Sequence, residues 1–199
     1  MPAESKIGIA LYELPATPDY FHWALVVVNS ENGGFSGGVS VYQITNTRTA
    51  TGQRWAPYHM SVSLENSVRF IGIVQIGRVP WGTSEFSEWI DTMPVEDANF
   101  PPAGYGWSCA WYILSIIDAL HLSLVDTQGL PDSPLLLYHQ VRQCGMVLNI
   151  MRRSISLPIV RLDGSRVLRT HSFEFYMAIH RQSWSVLITS VILSMSDVE

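Results

Sequence analysis

The 199-residue sequence predicts an α+β fold, an antiparallel β-sheet packed against helices. Three observations carry that expectation. In the first half, β-branched and aromatic residues come in short runs bounded by Gly, Pro and Asn, the pattern of strands. In the second half, apolar residues recur at spacings of three and four, the period of a buried helix face. Composition is the third: 47% of residues are hydrophobic and only 15% charged, which excludes a disordered chain and leaves enough apolar side chains for a sizeable core.

Element by element, Ile7 to Leu14 reads as the first strand, closed by Pro15 and Pro18. Phe21 to Val28 is the clearest strand, Asn29 to Gly38 its glycine-rich turn, and Val39 to Thr45 its hairpin partner. A polar loop is expected from Asn46 to Tyr58. Ser67 to Val79 follows as a long strand whose Gly72 and Gly77 mark a bulge or a close approach of another backbone. Ser84 is placed to cap a short helix through Met93, with Glu85 and Glu88 near the positive end of its dipole and Pro94 as the stop. The connector from Phe100 to Gly106 leads to a second helix, Ser108 to Leu122, buried on most sides. A third helix, Pro134 to Arg153, starts on proline and carries a basic pair at its end. Leu157 to Leu162 and Arg166 to Thr170 then flank Asp163-Gly164, a hairpin signal.

Residues 1–199 are read as one domain. The formal net charge is −5, with no basic stripe, which argues against nucleic acid as a partner. The longest apolar run, Trp184 to Met195, is about a dozen residues where a membrane span needs about 20; it is a candidate surface for oligomerisation. With a polar start and only two Cys, the expectation is an intracellular, cytoplasmic protein without a disulfide framework.

Two residues carry the candidate chemistry. Cys109, in Gly104-Tyr105-Gly106-Trp107-Ser108-Cys109-Ala110-Trp111, follows a glycine-rich loop and falls in the first turn of a helix. There the unpaired N–H groups and the positive dipole end stabilise the thiolate, the nucleophilic form. His22 opens the Phe21 to Val28 strand and shares a face with Ala24 and Val26. Together an imidazole and a thiol can act as base and nucleophile. Gln43, on the paired strand, is the leading candidate to orient the ring through its amide carbonyl; His59, Asn46 and Tyr42 are weaker ones. The competing reading of Cys109 is a small core residue, that of His22 a hydrogen-bonded core histidine, and that of the seven Trp is packing. Cys144, in mid-helix, reads as core. No metal-ligand spacing, Gly-x-Gly-x-x-Gly, Walker loop or Gly-x-Ser-x-Gly elbow occurs, so no metal or cofactor is expected and the substrate is an unidentified small molecule or peptide.

The order His22-Trp23-Ala24-Leu25, a glycine-rich hairpin, Trp55, the strand Phe70 to Val79, Met93-Pro94-Val95 and Trp107-Ser108-Cys109-Ala110-Trp111 resembles a family of uncharacterised fungal proteins. That family is similar to circularly permuted papain-like proteins, the group of lecithin-retinol-acyltransferase-like, NlpC/P60-like and PPPDE-type peptidases, where His precedes Cys. The resemblance spans about residues 5–125 and leaves 157–199 as a divergent C-terminal segment. It implies a permuted papain-like core, Cys109 as nucleophile and His22 as base. Ser108 stands where the relatives usually have Asn, and Gln43 where a second-strand His often sits. The function implied is a cysteine peptidase-like hydrolase or acyl transferase acting on an amide, ester or thioester; the alternative is a non-catalytic binding module on the same scaffold.

Overall fold

In chain order the elements are β1 (Ser5–Glu13), β2 (Phe21–Asn29), β3 (Gly38–Thr49), β4 (Gly52–Ser63), β5 (Phe70–Val79), α1 (Thr83–Ile90), α2 (Cys109–Leu120), α3 (Pro134–Met151) and β6 (Ile159–Arg161). The computed structural model describes residues 3–162, apart from 18–19, 33, 50–51, 128, 154 and 156. These residues belong to one unit, residues 1–167. The second arm of the expected late hairpin and the apolar run Trp184 to Met195 lie outside them.

The fold is α+β, with one six-stranded sheet in the order β4-β3-β2-β1-β5-β6. The first five strands pair antiparallel, while β6 runs parallel to β5, so the sheet is mixed rather than wholly antiparallel. The reason is connectivity: α3 carries the chain along the sheet before β6, and a helical crossover delivers a parallel partner.

Strand alternation sorts the side chains into two cores. Ile7, Ile9, Leu11, Trp23, Leu25, Val27, Tyr42 and Ile44 face the three helices, joined there by Phe86, Trp111, Ile113, Val141 and Leu148. The other face, Ala10, Ala24, Val26, Val39, Val41 and Ile73, is covered by Phe35 and Leu64 from loops. Among the described residues the helices lie on one side of the sheet, the layering the sequence predicts. The close approach predicted at the β5 glycines is present: a Cβ on Gly72 would lie 2.7 Å from Leu148 and 2.8 Å from the Pro158 carbonyl oxygen. Among the described residues no helix is long and apolar enough to cross a membrane.

Two boundaries differ from expectation. Helix α1 is capped by Gly82, whose carbonyl accepts the Phe86 N–H at 2.9 Å, so Ser84 lies inside the first turn. Helix α3 ends at Met151, and Arg152 beyond it reaches Glu13 at 3.1 Å.

The larger difference is residues 46–58, strand rather than loop. β3 continues to Thr49 and pairs along its whole length with β4, from Gly38↔Ser63 to Thr49↔Gly52. With β2, however, it pairs only from Val27↔Ser40 to Leu25↔Tyr42. Beyond Tyr42, β3 and β4 therefore leave β2 as a two-stranded ribbon, and a seam opens beside the start of β2. Pro57 on the edge strand β4 fits this arrangement, because a residue without an N–H is tolerated where that position faces away from the sheet. Its partner across the ribbon is Ile44, which by the antiparallel alternation turns its own N–H and C=O toward the β2 side.

Candidate functional site

The site forms at that seam. His22, second residue of β2, points to the same face as Ala24 and Val26, and Gln43 to the same face as Val39 and Val41. Across the opening, His22 Nε2 lies 2.5 Å from Gln43 Oε1. An amide oxygen only accepts, so Nε2 carries the proton and Nδ1 keeps its lone pair. Tyr12, opposite His22 in the β1–β2 register, backs the imidazole with ring centroids 6.1 Å apart.

Cys109 enters from the helix side. The loop before it is tied down: Trp107 Nε1 donates to the Val95 carbonyl at 3.1 Å, and the Tyr105 N–H to the Pro102 carbonyl at 3.0 Å, around Gly104 at φ 88°. Ser108 then caps α2, its Oγ accepting the Trp111 N–H at 3.4 Å. Cys109 is thus the first helical residue, half-buried, and its thiol hydrogen-bonds the His22 ring. Since Gln43 holds Nε2, the nitrogen left for the thiol is Nδ1.

The electrostatics run in opposite directions at the two partners. Burial pushes the Cys109 thiol up, but the hydrogen bond and charge of His22, then the backbone N–H groups of Trp23 and Ala110, bring it below its ordinary value. For His22, burial pulls the imidazole down, yet the bond and charge of Cys109, followed by the Gln43 bond, raise it above its ordinary value. Both shifts favour a thiolate beside an imidazolium. The Trp23 N–H reaches the sulfur because of the seam. Had the β2–β3 ladder continued, Trp23 would stand opposite Ile44 and donate to its carbonyl.

An aromatic stack walls the helix side. Tyr138 lies between Trp23 (5.6 Å, 19°) and Trp111 (5.4 Å, 6°), and Tyr105 meets Trp111 edge-on at 5.4 Å. Trp23 and Trp111 are buried, the packing use expected of them. Tyr20, under the Arg142 guanidinium at 4.3 Å, and Tyr105 remain exposed.

The structure therefore brings Cys109, His22 and Gln43 together. The weaker orienting candidates sit elsewhere: His59 pairs with Asp91 at 3.1 Å, Tyr42 packs its ring on His59 from the helix side, and Asn46 is exposed on the ribbon. Cys144 is buried in α3, its Sγ 3.9 Å from the Arg161 carbonyl. Sequence reasoning missed the Trp23 N–H, which leaves no trace in residue type, and Tyr12, which a count of the β1–β2 register would have placed opposite His22. Among the described residues, no group of three or more His, Cys, Asp or Glu side chains gathers as a metal site. In comparisons with known proteins, no family model, no curated protein and no solved structure matches the chain.

Proposed function

We propose that this chain is a cysteine-dependent hydrolase or acyl transferase on a circularly permuted papain-like core. The observation that carries the reading is the hydrogen-bonded line from Cys109 through His22 to Gln43, with the thiol shifted toward thiolate. The chain order, a histidine strand before a cysteine-opened helix packed on the same sheet, supports the permuted core.

The Cys109 thiolate attacks the carbonyl carbon of an amide, ester or thioester, and the carbonyl π-electrons move onto oxygen. The Cys109 N–H, one of the unpaired donors of the first helical turn, is placed to hold that oxyanion. Collapse breaks the bond to the leaving group, which takes the proton from His22 Nδ1, and an acyl thioester stays on Cys109. Water or a second acceptor then gives Nδ1 its proton and takes the acyl group. Two cysteines without a disulfide framework extend the reading to a cytoplasmic protein.

The test is alkylation by iodoacetamide at pH 6, followed by mass spectrometry. Cys109 reacts fast in the wild-type protein and at least about tenfold slower in His22→Ala, since the imidazole maintains the thiolate. Slow alkylation in the wild type that His22→Ala leaves unchanged would overturn this reading in favour of a non-catalytic binding module.

A further inference from the structure

We infer that His59 and Asp91 are positioning residues for the site: their contact fastens the root of the β3–β4 ribbon to the end of α1 and so keeps Gln43 against His22. The inference rests on the Cys109–His22 reading above and adds two residues that touch none of the reacting atoms.

The need for a fastening follows from the register. Gln43 is the first β3 residue beyond the last pair with β2, Leu25↔Tyr42. From there β3 stays paired to β4, but β4 is the edge strand and leaves β2 with it. The hydrogen bond between His22 Nε2 and Gln43 Oε1 therefore crosses the seam where, among the described residues, no ladder joins the two strands. The contacts that can hold the ribbon root lie on its helix side. Tyr42 stands opposite His59 in the β3–β4 register, so the two share the face away from Gln43. The Tyr42 ring touches Phe86 of α1, centroids 5.5 Å apart, and meets the His59 ring edge-on at 5.0 Å. Apolar packing of this kind holds the ribbon down but has no direction. Direction comes from His59 Nδ1, 3.1 Å from Asp91 Oδ1.

Neither partner is explained by its own element. His59 Nε2 is buried without a hydrogen-bond partner among the described residues, so His59 is not a histidine satisfied within a core. Asp91 closes α1, where the negative end of the helix dipole disfavours a carboxylate. Their mutual contact accounts for both. Asp91 also faces α2: burial, and then the Asp91 charge, push the Tyr112 hydroxyl up to about 12. Tyr112 lies three residues after Cys109. One carboxylate thus meets the ribbon that carries Gln43, the end of α1 and the helix that Cys109 opens.

The experiment measures the pH midpoint of iodoacetamide labelling at Cys109 in the full chain. His59→Leu and Asp91→Ala are each expected to raise it by about half a pH unit, the scale of a partly exposed pair. His59→Asn, whose amide N–H stands near the Nδ1 position, is expected to restore the wild-type midpoint. In a Gln43→Leu background neither loss adds a further shift, because both act through that residue. Direct electrostatics has the opposite sign, since removing a carboxylate favours a thiolate and lowers the midpoint. The Asp91 side chain is exposed, so Asp91→Ala carries the test even where His59→Leu does not fold. An unchanged or lowered midpoint in Asp91→Ala would overturn the inference. So would shifts that add in full to that of Gln43→Leu, a Gln43→Leu profile equal to the wild type's, or a His59→Asn midpoint no different from that of His59→Leu. If labelling of the wild type is itself independent of His22, the underlying reading fails, and this inference with it; if only the His59 and Asp91 effects are missing, this inference alone fails.

Discussion

Cys109 and His22 each move the other's proton affinity, and the signs define a pH window. The lowered thiol contributes stability above its unfolded value, and that is lost as pH falls through the folded one; the raised imidazole contributes below its unfolded value, and that is lost as pH rises through the folded one. The two titrate as a coupled pair, and both shifts enlarge the share of molecules in which thiolate and imidazolium coexist. Alkylation needs only the thiolate, so its rate is expected to rise with pH at a midpoint below the ordinary thiol range. Gln43 enters through the proton on Nε2, the charged form's second donor. In Gln43→Leu that hydrogen bond is gone, and the alkylation midpoint is expected to move up by about one pH unit, equivalent to roughly 1.4 kcal/mol and within the range of a hydrogen bond to a charged group. A pH–rate profile superimposable on the wild type's would show that Gln43 does not hold the ring. Cys109 itself was legible in the sequence, because a glycine-rich loop running into a capped helix is a local pattern. The Trp23 N–H was not, since its direction depends on where a ladder between two distant segments ends.

At the scale of elements, the sequence reads well wherever one face of a segment is buried. β1, β2, β5 and all three helices lie against a core, and hydrophobic periodicity reports that burial directly. The ribbon of β3 beyond Tyr42 with the first half of β4 lacks this signal: Arg54, Pro57 and Tyr58 are exposed, and so are Asn46 and Thr47. Without a buried face there is no alternation, and Asn46 to Tyr58 reads as loop. The parallel placement of β6 was hidden for another reason, because it follows from where α3 returns the chain rather than from residues 159–161. That return depends on Gly145, at which α3 touches the sheet. A methyl there would fall on the Phe21 ring and 2.9 Å from Leu11 Cδ1. Both neighbours are buried in the helix-side core and cannot swing away. Gly145→Ala gains about 1 kcal/mol in helix propensity, while overpacking costs typically 1–3 kcal/mol. Net destabilisation is expected, read as a lower thermal midpoint by circular dichroism; an unchanged or raised midpoint would mean that α3 is not held to the sheet at this contact.

Over the whole described unit, the sheet divides two cores of different make-up, and the two thiols report on different parts of it. The helix-side core is built of large aromatic and branched side chains and contains Cys144, which is 3% exposed. The opposite core is smaller and closed by loop residues Phe35 and Leu64. Cys109 sits at neither centre but where the sheet opens between β2 and β3, reachable with the fold intact. A reagent for free thiols should therefore distinguish the seam from the core. Ellman's reagent near neutral pH is expected to titrate one thiol per native chain quickly and the second only as denaturant unfolds the protein, with the slow phase following the loss of tertiary structure. Cys109→Ser removes the fast phase and leaves the slow one; Cys144→Ala does the reverse, at a modest stability cost for deleting one buried sulfur. Because the fast phase depends on the thiolate and the slow one on global opening, lowering the pH through the Cys109 step slows the first while the denaturant midpoint of the second tracks stability alone. Two thiols reacting together in the native protein would mean that the helix layer does not seal the core around Cys144.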